Sequence, residues 1–235
     1  MGLIPIKSAD CPRTNGKTIY LKQEIDEFKD DLDELHKNRN ISMYISDLLH
    51  EVLHLIEGSF LVDGKPYLEK FKNKGLAHLI WNTAEDSRIE HNAKRYLRKN
   101  DREILESSNA HIGRKKPLPQ SIEAQVMEVY TSMVICKGKP SDFQPALKTR
   151  VDALYATPVD HADLHAQGIN NLGDLIDKMV SISSVVYGQP VQASWSVVPE
   201  IYDLLQKALP QMEETFNSPT YTTAQGMPGQ GQGEE

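Results

Sequence analysis

The residues best suited to chemistry in this chain form the pentapeptide His50-Glu51-Val52-Leu53-His54, which follows the pattern H-E-x-x-H. On a helix, residues four positions apart lie on one face, so the two imidazoles can bind the same metal ion. A catalytic zinc ion takes three protein ligands, keeps one open position and lowers the pKa of a bound water. His50 and His54 would supply two ligands, and Glu51 is the expected general base. The pattern therefore predicts a zinc site that activates water against a carbonyl.

The helix that carries this pentapeptide is expected to be buried, because apolar residues surround it on nearly every side. These residues are Leu48, Leu49, Val52, Leu53, Leu55 and Ile56. Ionisable groups in such a setting are costly unless a metal or a hydrogen-bond network satisfies them. The alternative is a chance match to a short pattern on a partly exposed helix face.

The third ligand is expected from a later helix with an inward-facing stripe at alternating steps of four and three. Its members are Leu79, Thr83, Asp86, Glu90, Ala93 and Leu97. Buried carboxylates are rarely left without a cation. Asp86 is therefore the first candidate, Glu90 the second and Glu85, beside the stripe, the third. Asn82 could hydrogen-bond Asp86 or an imidazole.

An ordinary salt-bridge ladder is the alternative for this second helix. In that interpretation Asp86 and Glu90 pair with Arg88, Lys94 or Arg95. In the zinc interpretation, the carboxylates that do not bind the metal orient His50 or His54, or pair with an arginine.

The two segments together resemble a known family. H-E-V-L-H, followed some thirty residues later by W-N-x-A-x-D, is similar to zinc metallopeptidase domains encoded beside von Willebrand A modules. Residues 85–90 also resemble the E-D-x-R-I-E segment of proteins involved in nitric oxide reductase activation and cobalt chelation, which work with MoxR-type AAA+ ATPases. The resemblance covers residues 40–98 and implies His50 and His54 as zinc ligands, Glu51 as base and Asp86 as third ligand. The sequence lacks a D-x-S-x-S motif, so a von Willebrand A module or an ATPase is expected as a separate chain.

Helical periodicity dominates the rest of the chain, which predicts a mainly α, zincin-like domain over residues 1–209 with at most a small β element. Residues 41–56, 76–97 and 122–133 are predicted helices, and an earlier stripe comprises Ile25, Phe28, Leu32 and Leu35. Two further stripes comprise Leu172, Ile176, Met179 and Val186, and then Trp195, Val198, Tyr202 and Leu205.

The remaining segments are predicted to be strands, connections or tail. Residues 17–21 are a candidate strand, and residues 60–64 could begin a hairpin. Residues 99–120 are interpreted as a connection, and residues 138–170 as loops with one short helix. The Gly-rich tail, residues 210–235, is expected to be disordered.

The composition excludes several classes of function. The chain has 26 Lys and Arg against 33 Asp and Glu, and its short basic clusters do not suggest a nucleic-acid surface. No apolar run reaches the length of a membrane span, and no signal peptide is recognised. Cys11 and Cys136 do not make a disulfide framework, which favours a reducing compartment and a cytoplasmic location.

Three functions therefore compete. The first is a zinc-dependent peptidase that acts on a peptide or protein substrate. The second is a non-catalytic metal-binding accessory or interaction protein for an AAA+ ATPase or a von Willebrand A partner. The third is a helical interaction module without metal. His161 and His165 share the four-residue spacing, but their polar surroundings favour a solvated loop or short helix over a second metal site.

Overall fold

A computed structural model of the protein describes residues 4–22, 34–115 and 117–212, without the side chains of residues 34–37, 114 and 115. Helices dominate, and the prediction of a mainly α fold with a small β element is confirmed. In this part of the chain no helix has the length and apolar character that a membrane crossing requires.

The elements follow one another in the order β1 to β3 and then α1 to α11. The strands are β1 Ile6–Ser8, β2 Arg13–Thr14 and β3 Ile19–Leu21. The helices are α1 Glu34–Ile56, α2 Lys65–Leu68, α3 Lys74–Asn92, α4 Lys99–Lys115, α5 Ile122–Ile135, α6 Pro140–Phe143, α7 Lys148–Ala156, α8 Ala162–His165, α9 Leu172–Ser184, α10 Gln192–Ser196 and α11 Val198–Ala208. Short 3-10 turns lie at Ala93–Arg95 and Pro145–Leu147.

Helix α3 is the central element, and it contacts α1, α5, α9, α10 and α11. Its start is fixed by Asn73, whose side chain accepts a hydrogen bond from the backbone of Leu76 at 2.9 Å. One face of α3 joins the main hydrophobic core with α5, α7, α9 and α11. Another face joins α1 and α4 in a smaller cluster that comprises Leu53, Ile89, Ala93 and Leu105. The interface between α1 and α3 therefore lies at the junction of the two cores.

An aromatic stack forms part of the main core. Tyr67, Trp195 and Trp81 stack in sequence, with ring centroids 5.0 Å and 4.8 Å apart. Gly64 approaches this stack so closely that a Cβ there would lie 2.5 Å from the Trp195 ring. Both tryptophans pack in the interior, at 5% and 3% exposed.

The small sheet has the order β1-β3-β2, with β1 parallel and β2 antiparallel to β3. Ile19 and Leu21 are buried on one face of β3, which packs against α1, and this fits the two-residue alternation of a strand. The predicted strand at 17–21 is therefore present in shortened form.

Several expected boundaries were wrong. Residues 99–115 form helix α4 rather than a connection. Among its described residues only Leu105, Ser108 and Gly113 are buried, so the sequence there shows little apolar periodicity. Residues 60–64 form a turn, bends and irregular backbone rather than a hairpin. Residues 138–170 contain α6, α7 and α8 rather than one short helix.

The helix boundaries also differ in detail. Helix α1 is described from Glu34, upstream of the predicted start at residue 41, and within it Ser42 donates to the carbonyl of Asn38 at 2.9 Å. The stripe from Trp195 to Leu205 is divided between α10 and α11. Met212 is fully buried. The expected disordered tail beyond Met212, and the stripe members Ile25, Phe28 and Leu32, lie outside the described residues.

Candidate metal centre

Helices α1 and α3 bring together two imidazoles and one carboxylate. The Nε2 atoms of His50 and His54 are 3.2 Å apart, and Asp86 Oδ1 lies 3.2 Å from His54 Nε2 and 3.6 Å from His50 Nε2. Ligands around a tetrahedral zinc ion with bonds of about 2.0–2.1 Å are about 3.3–3.4 Å apart. Within the described residues, this is the one group of three or more His, Cys, Asp or Glu that could hold a metal ion. Two nitrogens and one oxygen also form a donor set that suits zinc.

The Oδ1 atom of Asp86 accepts no hydrogen bond from the described residues. Asp86 is 8% exposed, and its Oδ1 atom is buried. A buried carboxylate oxygen without a donor is costly, and a cation between it and the two imidazoles would remove that cost.

The pKa shifts of His50 and Asp86 also indicate that the centre favours positive charge. Burial lowers the pKa of His50, but its contacts with Asp86 and Glu90 outweigh burial and hold that pKa well above the ordinary value. Burial raises the pKa of Asp86, but the contacts and charges of His50 and His54 outweigh it and lower that pKa. The surroundings therefore favour positive charge between these side chains, which a divalent ion would also provide.

Each of the three residues is held at the atom that points away from the centre. Glu90 Oε1 lies 3.3 Å from His50 Nδ1, and Asn82 donates to Asp86 Oδ2 at 2.9 Å. The Nδ1 atom of His54 lies 2.9 Å from the hydroxyl of Ser59. Such outer contacts fix the orientation and the tautomer of metal-binding side chains.

Glu90 is held behind His50 rather than at the centre. The side-chain amide of Asn109 on α4 donates to both of its carboxylate oxygens at 2.9 Å. Helix α4, expected to be a connection, thus supports the centre.

Glu85 is engaged away from the centre by four hydrogen bonds. Its oxygens accept from Arg88 Nε at 2.8 Å, Arg88 Nη2 at 2.6 Å, Ser194 at 2.7 Å and the hydroxyl of Ser59. A carboxylate offers about four acceptor sites, so Glu85 has none left for a metal. Of the three candidate carboxylates, Asp86 alone meets both imidazole Nε2 atoms in the described structure.

Gly58 makes the contact between Ser59 and His54 possible. It ends α1 with a φ of +73°, and the following backbone amide, of Ser59, donates to the carbonyl of His54 at 3.0 Å. This left-handed turn reverses the chain directly after the helix, as glycine at a helix C-terminus commonly does. The serine hydroxyl is thereby returned to the imidazole five residues earlier.

We expect Gly58→Ala to lower the free energy of unfolding by about 1–2 kcal/mol, because a side chain is strained at positive φ. A Cβ there would also lie 2.7 Å from Leu61 Cδ1, although Leu61 is exposed and can move. Urea denaturation of the two proteins measures the difference. Gly168→Ala is a matched control for the strain alone, since it also has positive φ and open space around it. A Gly58→Ala protein as stable as the wild type would contradict the expectation.

Glu51, the expected base, lies beside the centre and is 5% exposed. Burial raises its pKa, and the charges of His50 and His54 oppose that shift.

The residues around Glu51 on α1 are less buried than expected. Leu53 is fully buried, but Ile56 is 49% exposed, so the expectation of a helix buried on nearly every side was wrong.

A cleft of about 230 Å³ opens beside the centre. His50, Asp86 and Glu90 line one side of it, and α4 and α5 form the other. Glu51 and His54 are not among its lining residues. The remaining lining residues are Pro12, Ser46, Asp47, Asn109, Ile112, Gly113, Glu128, Thr131, Ser132, Ile135 and Cys136.

His161 and His165 do not form a second centre in the described structure. Their segment is the four-residue helix α8 with His161 at its N-cap, and His165 Nε2 contacts the carbonyl of Val159 at 2.6 Å. Within the described residues Cys11 and Cys136 form no disulfide.

Ser59, Asn109 and Ser194 also contribute to the site and are not evident from the sequence. For Ser59 the available signal was a hydroxyl directly after Gly58, a residue type that commonly ends helices. Asn109 and Ser194 reach the site from α4 and α10, and no local pattern marked them. Searches found no family model, no curated protein and no solved structure that matches this chain.

Proposed function

We propose that this protein is a zinc-dependent hydrolase of the metallopeptidase type, with His50, His54 and Asp86 as metal ligands. The observation that carries the proposal is the convergence of two Nε2 atoms and the buried Asp86 Oδ1, which accepts no hydrogen bond from the described residues, within 3.6 Å of one another. Three protein ligands of this kind leave a fourth position open, which is typical of catalytic rather than structural zinc.

Zinc bound there would act as a Lewis acid and lower the pKa of a water molecule. Glu51 follows the first histidine on α1 and is buried beside the centre. Its carboxylate takes a proton from the attacking water and passes it to the leaving amine. Asn82 and Glu90 keep the carboxylate of Asp86 and the ring of His50 in place during this transfer.

The cleft beside His50 and Asp86 is the proposed entrance for a peptide or protein substrate. It has a polar side near the centre and an apolar wall that includes Ile112 and Ile135. A peptide backbone needs hydrogen-bonding groups near the reacting carbonyl, and its side chains need apolar contacts. The cleft offers both.

The order of the two motifs supports a further part of the proposal, which concerns partners. H-E-V-L-H and W-N-x-A-x-D resemble peptidase domains encoded beside von Willebrand A modules, and residues 85–90 resemble a segment of proteins that work with AAA+ ATPases. A partner of either class would present substrates to this chain.

In the competing proposal the same centre binds metal without hydrolysis, and the protein is an accessory of the partner. The absence of Glu51 from the residues that line the cleft favours this alternative.

Metal analysis of the purified protein and of Asp86→Ala tests the centre. We expect about one equivalent of zinc in the wild type and only background zinc in Asp86→Ala, because one of three ligands is lost. Glu90→Ala is the matched control on the same stripe, and we expect it to keep zinc with lower affinity, because it removes an outer contact of His50. Elemental analysis should cover iron and manganese as well.

Two results would contradict the assignment. A wild-type protein without zinc, and without a thermal shift on zinc addition, removes the metal proposal. Zinc that persists in Asp86→Ala but disappears in Glu90→Ala transfers the ligand role to Glu90.

A further inference from the structure

A chain of polar contacts connects the His54 ring to the most deeply buried cation of the described structure. His54 Nδ1 contacts the Ser59 hydroxyl at 2.9 Å, that hydroxyl contacts Glu85 Oε1, and Glu85 pairs with Arg88 through two hydrogen bonds. Ser59 is 2% exposed, Glu85 0% and Arg88 1%. Solvent is therefore excluded from the whole chain of contacts.

The direction of each hydrogen bond follows from this arrangement. Glu85 faces the Arg88 guanidinium as a carboxylate, which accepts hydrogen bonds and donates none. Ser59 has one hydroxyl hydrogen, and that hydrogen goes to Glu85. The oxygen of Ser59 can then only accept from His54, so the hydrogen between them belongs to His54 Nδ1.

The position of this hydrogen sets the tautomer of the imidazole. With Nδ1 protonated, the lone pair of His54 lies on Nε2, which is the atom 3.2 Å from both His50 Nε2 and Asp86 Oδ1. We propose that Ser59 is a positioning residue for the metal centre: anchored by Glu85, it holds His54 in the tautomer whose Nε2 binds the metal. This inference rests on the proposed function, because it needs metal at the centre.

Helix α3 supplies both ends of this arrangement. Asp86 contacts His54 Nε2, and its neighbour Glu85 reaches His54 Nδ1 through Ser59. His50 differs, since its Nδ1 faces the carboxylate of Glu90 directly at 3.3 Å. Of the two imidazoles, His54 alone is connected to a carboxylate through a hydroxyl among the described residues, so Ser59 can be removed by mutation while Glu85 stays in place.

Ser59→Ala tests the proposal, with Ser194→Ala as matched control. Both variants remove one buried hydroxyl that donates to Glu85, but Ser194 does not contact His54. We expect Ser59→Ala to weaken zinc binding about 10- to 100-fold, and Ser194→Ala to change it by less than about threefold. Competition with a zinc chelator measures both dissociation constants. Thermal unfolding of the metal-free proteins shows how much stability each variant loses.

Nuclear magnetic resonance provides a second measurement that does not depend on any variant. In the zinc-loaded wild type, a long-range ¹H–¹⁵N spectrum should show His54 protonated at Nδ1 with Nε2 free of hydrogen. Protonation at Nε2 overturns the inference. Equal zinc affinities of Ser59→Ala and Ser194→Ala also overturn it while leaving the zinc site intact. A wild type that binds no zinc instead removes the proposed function, and the two failures are therefore distinguishable.

Discussion

Replacement of Glu51 by glutamine should leave about one zinc bound and lower kcat for peptide hydrolysis by about 10²- to 10⁴-fold, the usual contribution of a general base. Glutamine has nearly the shape of glutamate, so the neighbouring residues His50 and His54 keep their positions on α1. It cannot accept a proton from water. The effect should therefore appear in kcat and not in the zinc content.

Digestion of a mixed peptide library, followed by mass spectrometry, finds a cleaved substrate, and its kinetics are then measured for both proteins. Glu103→Gln provides the control, because this exposed glutamate on α4 pairs only with Lys99 among the described residues. The kcat and the zinc content of Glu103→Gln should match those of the wild type. Equal cleavage by wild type and Glu51→Gln, at equal zinc content, would end the role of Glu51 as base and favour another route to hydrolysis.

The second large effect is expected from Arg88, because its guanidinium neutralises two buried carboxylates. Its five N–H groups make five hydrogen bonds of 2.6–3.1 Å: three to the carboxylates of Glu85 and Glu57, one to the Glu57 carbonyl and one to the Gln189 carbonyl. The Glu57 side chain is 6% exposed and its Oε1 already lacks a partner in the described structure. Removal of the cation leaves uncompensated charge in the interior.

We expect Arg88→Met to lower the free energy of unfolding by about 3–5 kcal/mol, which is typical for breaking a buried ion pair from one side. For a chain of this size the midpoint of thermal unfolding should fall by about 10 °C. Calorimetry or circular dichroism measures it. Because Glu85 loses its anchor, zinc affinity should fall as well.

Lys148→Met is the matched control for the loss of a cation. Lys148 pairs with Asp152 at 2.6 Å, but both side chains are exposed, at 68% and 59%. An exposed pair of this kind contributes less than about 1 kcal/mol. If Arg88→Met unfolds at the same temperature as Lys148→Met, methionine packing has replaced the ionic network and the role assigned to Arg88 is wrong.

The sequence allowed the helical parts of the candidate site to be predicted, because helix periodicity is local. The spacing of His50 and His54, and the stripe through Asp86 and Glu90, needed only the 3.6-residue repeat. The same repeat placed the core helices α3, α5 and α9. Whether Asp86 binds a metal stays a prediction, since distance alone identifies no ion.

The supporting residues could not be predicted, because they depend on long-range packing. Asn109 reaches Glu90 only because α4 packs along α1, and α4 was mistaken for a connection since its buried face is narrow. Ser194 approaches Glu85 from a position 109 residues later in the chain. Ser59 lies in a turn, where no periodicity applies.

The stacked pair Trp81 and Trp195 has an optical consequence. These are the only two tryptophans of the chain, and each lies next to the Glu85 network: Trp81 one turn before Glu85 on α3, and Trp195 directly after Ser194. Fluorescence excited at tryptophan wavelengths therefore comes from one stacked pair of indole rings rather than from scattered sites. The tryptophan emission of the native protein therefore reports how α3 and α10 pack against each other, without any added dye.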